Sequence, residues 1–338
     1  MSVWPSAHLQ QLASATLDGR YLHTLVAPAQ ALGLPVAAAL QHTGLSLPAL
    51  QGPVSLLRAW QLLDYFDRHA EPGWAFRLGL SMRPASAGVL GYVLLGAATL
   101  EQAINRLVRY ERCVWDIGLS QWQAAEQRLV FMPTLSPLPT SLAELCLTSW
   151  LAVGRLLAPQ AQAKALCLRH TPVMPSNEIE NLLGVTLRTE QADYALELAD
   201  GHSQLPLPLA DDLLEQSLLP QVINKAAQQP HLQAIRQRMV AALPEGAALE
   251  QVAASLEQSP RQLRHTLHLH GLSYQHLLQD LRQALAEHYL RQTELSLTDI
   301  SFLLGFAEQS SFSRAFRQWH GCTAQQYREA YSASAAVC

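Results

Sequence analysis

Two sets of side chains in this sequence could bind nucleic acid. Arg261, Arg264 and His265 lie in one short segment. Gln309, Ser310, Ser313, Arg314 and Arg317 lie about fifty residues further on. A guanidinium fork fits guanine O6 and N7 or phosphate oxygens, and small hydroxyl residues let a backbone approach closely. The same residues on one isolated helix would read equally well as a solvated polar face. Other chemistries lack a constellation. There is no G-x-S-x-G elbow and no glycine-rich phosphate loop. His69, His170 and His202 are far apart and show no metal-ligand spacing, so no metal or cofactor is expected. Trp60, Trp74, Trp115, Trp122 and Trp150 read as core residues rather than a ligand cage.

The elements that must position these residues decide between the two readings. Ser296 to Arg328 reads as two short helices joined at Gly305, a residue suited to a left-handed cap. Ile300, Leu303 and Leu304 form the apolar face of the first helix. Phe312, Phe316 and Trp319 form that of the second and leave Ser310, Ser313, Arg314 and Arg317 on the far side. A second such unit lies upstream, from Ala248 to Arg282. Leu249, Val252, Ala253 and Leu256 supply its first apolar face. Ser259, Pro260 and Gln262 spell an N-cap, a first helical position and a capping box. Leu263 and Leu267 then point inward, Arg261, Arg264, His265 and His268 share the opposite face, and Gly271 ends the helix. Between the units, Leu278 to Arg291 has helical periodicity and could hold them apart.

At these residues the last hundred positions resemble the DNA-binding domain of the AraC/XylS family of bacterial transcription regulators. The second unit carries Ile300, Gly305, Phe306, Ser310, Phe312, Arg314, Phe316, Gly321, Thr323, Tyr327 and Arg328 at the family's signature spacing. The connecting helix carries Arg282, Ala286 and Leu290. Three positions depart: Ser301 replaces the usual alanine, Ala324 the usual proline, and His265 a frequent arginine. The resemblance implies double-stranded DNA as partner, read by helix-turn-helix units at about 248–271 and 296–321. It places Gln309 and Ser310 at the groove beside Arg314, with Arg317 toward phosphate. It also implies a contact with RNA polymerase.

The totals fit a regulator of this kind. The 338 residues are enough for two domains, 49 % are hydrophobic and 15 % charged, and no apolar run is long enough to span a bilayer. The opening residues lack a charged segment followed by an apolar one. Cys113, Cys146, Cys167, Cys322 and Cys338 are scattered and odd in number, which reads as free thiols in the cytoplasm. From His231 onward there are nine arginines, no lysine and nine acidic residues, a formal net charge of zero. The usual basic footprint of DNA binding is missing, so modest non-specific affinity is expected.

The expected organisation is a domain over 1–225 and a DNA-binding domain over 226–338. Gln216 to Pro230 reads as the boundary, and Pro206 to Asp212 as a turn into a helix. The first domain mixes helices with strands. Helices are expected at Val54 to His69, Leu100 to Tyr110 (opened by a Thr99–Gln102 capping box), Leu142 to Leu157 and Asn177 to Leu183. Strands are expected at Gln123 to Met132, Ala165 to His170, Val185 to Thr189 and Tyr194 to Leu198. This is an α+β domain ahead of an all-α domain with two helix-turn-helix units joined by a linker helix. Leu78 to Tyr110 and Arg169 to Glu190 resemble the sensor domain of one AraC subgroup, labelled arabinose-binding-like, and not the jelly-roll arm of the arabinose regulator itself. That resemblance implies a small-molecule effector and a homodimer, with no particular sugar indicated. Two alternatives stay open: a DNA-targeted protein whose first domain has its own catalysis, and a dimeric regulator without ligand.

Overall fold

The computed structural model describes residues 6–134 and 139–335; Cys338 lies outside them. The chain forms two compact units. One gathers Leu17–Val54 and Arg58–Gln229. The other gathers the described residues up to Thr16, Ser55–Leu57, and the chain from Pro230 onward. The division therefore falls at 229/230, and the N-terminal segment is grouped with the C-terminal unit.

In chain order the elements are α1 (Ser6–Ser14), β1 (Thr16–Asp18), α2 (Gly19–Ala31), α3 (Val36–His42), β2 (Pro53–Ser55), α4 (Leu56–His69), α5 (Trp74–Leu80), α6 (Val89–Leu95) and α7 (Leu100–Tyr110). Then come β3 (Gly118–Gln123), β4 (Arg128–Pro133), α8 (Thr140–Leu157), β5 (Ala163–Cys167), α9 (Ser176–Leu183), β6 (Thr186–Arg188), β7 (Tyr194–Leu198) and α10 (Asp212–Ala242). Helices α11 (Leu249–Ser255), α12 (Pro260–Leu269), α13 (Tyr274–Gln292), α14 (Leu297–Leu303), α15 (Gln309–His320) and α16 (Ala324–Ala335) complete the chain.

The first unit is α+β. Its sheet has the order β3-β4-β7-β5-β6, antiparallel except for the parallel β5–β6 pair. Leu129, Val130 and Phe131 are consecutive and all buried, as are Ala165, Leu166 and Cys167, so the central strands are covered on both faces. Helix α8 is buried along most of its length and packs against β7 and α5. Gly79 permits the α5 approach: a Cβ there would lie 2.7 Å from Thr148 Cβ and 3.0 Å from the Leu145 carbonyl. The helix expected at Leu100 to Tyr110 is present. Thr99 Oγ1 accepts from the Gln102 N–H (3.2 Å), but Gln102 Oε1 accepts from the Ala98 N–H (2.6 Å), so the capping box is half formed.

One expectation is corrected. Gln123 to Met132 is not one strand. The chain turns at 124–127, and β3 pairs back on β4 with Gln123 opposite Arg128. The turn has no glycine or asparagine; Gln127 itself takes the left-handed conformation, φ +51°, which removes the usual signal. Gln216 to Pro230, read as the boundary, contains the division at 229/230, but the chain is helical across it. The segment lies inside α10, with Pro220 and Pro230 both within the helix. A proline inside a helix costs about 3 kcal/mol. Burial of Val222, and further on of Ile235, Met239 and Val240, offsets that cost. The turn into α10 is as expected: Asp211 Oδ1 accepts from the N–H groups of Leu213 (2.8 Å) and Leu214 (3.2 Å).

From Pro230 onward the second unit is helical. Helix α1 packs against α13, with Leu9, Leu12 and Ala13 buried.

Candidate DNA-binding interface and sensor cavities

In the first helix-turn-helix, Val252 and Ala253 of α11 and Leu263 and Leu267 of α12 are fully buried. The start of α12 is capped reciprocally. Ser259 Oγ accepts from the Gln262 N–H (3.3 Å), and Gln262 Oε1 accepts from the Ser259 N–H (2.8 Å). Pro260 occupies the first helical position, where its missing N–H costs nothing. The buried leucines fix the rotation of α12, so Arg261, Arg264, His265 and His268 all face solvent. Among the described residues, the Arg261, Arg264 and His265 side chains have no intramolecular hydrogen bond or ion pair.

The second unit is built alike. Ser296 Oγ accepts from the Asp299 N–H (3.1 Å) at the start of α14. Ile300 and Leu304 are buried, but Leu303, expected beside them, is 37 % exposed, and Phe302 is 57 % exposed. Helix α14 is only two turns long, and residue 303 falls on its flank. In α15, Phe312 and Phe316 are fully buried. Trp319 is half-buried, its ring edge-on to Phe316 at 6.2 Å. Gln309, Ser310, Arg314 and Arg317 are exposed, and Ser313 is half-buried. Gln309 Oε1 accepts from the Thr298 hydroxyl (2.7 Å), so its amide N–H groups remain as donors. The Ser310 hydroxyl donates to Glu308 Oε2 (3.0 Å), and Arg314 Nη2 donates to Ser311 Oγ (3.3 Å). Arg317 has no such partner among the described residues.

The connecting helix α13 joins the two units through one arginine. Arg282 Nε donates to the Leu304 carbonyl (2.9 Å), and Nη2 to the carbonyls of Gly305 (2.9 Å) and Gly246 (3.3 Å). Its guanidinium also lies 4.6 Å from the Phe306 ring centre. The turn ahead of α11 and the turn ahead of α15 are thus held by the same side chain. Gly305 has φ +69°, and a Cβ there would lie 1.9 Å from the Leu243 carbonyl, so the position admits only glycine. Further along α13, fully buried Glu287 sits 3.2 Å from His320 of α15 and 3.8 Å from Arg291, which donates to the Tyr327 hydroxyl. The departures at 301 and 324 are accommodated. The Ser301 hydroxyl donates to the Thr298 carbonyl (2.9 Å). Helix α16 needs no initial proline, because Thr323 and Gln326 cap it reciprocally (3.2 and 3.0 Å).

Two cavities among the described residues lie in the first unit. One, of about 90 Å³, is apolar and runs between helices and sheet, against Leu94, Ile104, Leu107, Trp115, Trp150 and Leu196. The second, of about 470 Å³, is lined by the charged Asp18, Arg20 and Lys225 and by Val89, Leu90 and Tyr92. Burial works to raise the Asp18 pKa; the hydrogen bonds and charges of Arg20 and Lys225 outweigh it and hold the carboxyl at about 2. Nothing in the sequence pairs Asp18 with Lys225, 207 positions away. The only local signal is Asp18 as a helix N-cap.

Two helix-turn-helix units on one connecting helix define a DNA-binding domain. Residues 33–207 match the family described as "Arabinose-binding domain of AraC transcription regulator, N-term", and residues 252–330 match a helix-turn-helix domain family. The ornithine utilization regulator of Pseudomonas aeruginosa is 30 % identical over 273 residues, 77 % of this chain and 79 % of that one. The regulator VirS of Mycobacterium tuberculosis is 31 % identical over 202 residues, 57 % of this chain and 58 % of that one. The transcriptional activator RhaS of Escherichia coli is 31 % identical over 145 residues, 40 % of this chain and 51 % of that one. The chain belongs to the AraC family of DNA-binding transcription regulators, in the subgroup with an arabinose-binding-like sensor domain. Among the described residues, no helix is long and apolar enough to cross a membrane.

Proposed function

We propose that this regulator is a cytoplasmic homodimeric activator. It reads its operator with both helix-turn-helix units and responds to a small molecule held in its first unit. Arg261, Arg264 and His265 of α12, and Gln309, Ser310, Ser313, Arg314 and Arg317 of α15, form the DNA contact. Arg264 and Arg314 read bases, and Arg317 contacts phosphate. The observation that carries the reading is the pair of helices α12 and α15 with solvent-facing arginines, whose flanking turns are held to one connecting helix through Arg282. Activation through RNA polymerase is supported by the relative named as an activator, RhaS. A binding rather than catalytic role for the first unit is supported by relatives that are regulators. Genome-wide mapping of bound sites tests the proposal, paired with transcription from the neighbouring genes. Discrete sites whose occupancy and downstream transcripts fall together in an Arg264→Ala/Arg314→Ala strain are expected. Occupancy without any change in transcription would refute the activator assignment.

A further inference from the structure

We propose that the larger cavity of the first unit is the effector site, and that its ligand is an organic monocarboxylate with an apolar body. The proposal rests on the effector-responsive reading above and adds to it a location and a chemical class.

The 470 Å³ volume falls within the usual range of about 300–1,000 Å³ for small-molecule sites. The smaller cavity offers about 90 Å³ and an almost wholly apolar lining. The polar wall of the larger one has a definite sense. An ionised carboxylate offers about four lone-pair sites, and Asp18 uses all of its own. Oδ1 accepts from the Arg20 backbone N–H (3.1 Å) and Arg20 Nε (3.0 Å); Oδ2 accepts from Arg20 Nη2 (2.7 Å) and Lys225 Nζ (2.7 Å). Asp18 therefore has nothing left with which to hold a ligand ammonium. The two cations are not saturated. Arg20 keeps the Nη1 donors and Lys225 two ammonium protons, on side chains that are 64 % and 37 % exposed. Two positive charges against one negative leave a net charge of +1 facing the cavity, beside the N-terminus of α2.

That wall suits an acceptor carrying negative charge. The apolar part of the lining sets the rest of the ligand. Val89 and Tyr92 are apolar side chains left 38 % and 45 % exposed, and Leu90 and Val114 line the same cavity. An apolar body laid there removes them from water, which a bare phosphate would not do. Thr24, Ser86 and Gln221 also line the cavity, where a further polar substituent could bind. Lys225 and Gln221 stand on α10, the helix that further on contributes residues 230–242 to the DNA-binding unit.

The test uses the full chain and three probes of one shape, hexanoate, hexanol and hexylamine, with inorganic phosphate as a fourth. Binding is followed by calorimetry and thermal melting at low millimolar concentration. Hexanoate alone is expected to bind and to raise the melting temperature. Arg20→Met and Lys225→Met should each weaken it about tenfold or more, as loss of one charge-assisted hydrogen bond implies, and Lys225→Arg should restore binding. Thr24→Trp, which adds bulk at the cavity lining, should abolish it. Equal binding of hexanol or hexylamine, or of phosphate, overturns the ligand class. So does failure of hexanoate, phenylacetate and 4-methylvalerate alike. Hexanoate binding unchanged in Lys225→Met and Thr24→Trp overturns the location. The effector reading itself fails differently: a broad metabolite screen in which no compound alters operator binding would reject it.

Discussion

Single arginines on the two recognition helices are expected to differ in what they do. Replacing Arg314 or Arg264 by alanine removes a candidate base contact, at about 1–3 kcal/mol for the preferred sequence, and should relax discrimination at one position. Arg317→Ala should weaken binding to all sequences about equally and reduce the salt slope by about one phosphate equivalent. Binding curves on an operator and its single-base variants, taken at several salt concentrations, separate the two. Two buried groups give the molecule a further signature in pH. Burial pushes the Glu111 carboxyl from 4.5 up to about 7, against the opposing hydrogen bonds from Ser120. Between those values the unfolded chain has lost a proton that the folded chain keeps, so stability falls as pH rises from about 4.5 to 7. His288 is the reverse. Burial, then the charges of Arg291 and His8, push it from 6.5 down to about 4, so stability falls as pH drops through that window. Each effect is on the order of 3 kcal/mol across its window. Denaturation of the full chain from pH 4 to 8 should show the first slope removed by Glu111→Gln and the second by His288→Gln.

The elements divide sharply into those legible in the sequence and those that were not. Helix α7 and the start of α12 were legible because capping residues sit at fixed offsets from an apolar stripe. Most of the rotation of α12 and α15 followed from Leu263, Leu267, Phe312 and Phe316. The β3–β4 turn was hidden because Gln127 adopts a left-handed backbone without a glycine. Continuous α10 was hidden because two prolines argue locally for a break, and only tertiary burial of Val222, Ile235 and Met239 overrides them. The exposure of Leu303 depends on how α14 is rotated, which short periodicity does not determine. Among the candidate DNA-contact residues, the exposed faces were readable, whereas the Thr298–Gln309 and Glu308–Ser310 contacts and the role of Arg282 needed coordinates. The turns themselves make a prediction. Gly271 and Gly305 both have positive φ, but Gly271 has no neighbour within 4 Å of an added Cβ. Gly271→Ala should cost about 1–2 kcal/mol, the left-handed penalty alone. Gly305→Ala should cost distinctly more than about 2 kcal/mol, because the Leu243 carbonyl must also move. Urea midpoints that rank the two variants the other way would contradict the packing described at Gly305.

At the scale of the whole molecule, a neutral DNA-binding unit and a specific motif set the expected behaviour. Non-specific affinity should be modest and specificity should come from contact geometry, since little net charge is available to release counterions. The dimer proposed here places four recognition helices on a repeated site; sedimentation at micromolar concentration should find a dimer, and a monomer would contradict that part. The central claim is that both helix-turn-helix units of one chain read DNA together. Hydroxyl-radical and methylation-interference footprinting of the full chain on a single half-site tests it most directly. The expected result is protection in two successive major grooves on one face of the duplex, centred about 34 Å apart, with Arg264→Ala erasing one and Arg314→Ala the other. Protection of a single groove, unaffected by Arg264→Ala, would contradict it and leave α12 as a structural helix only.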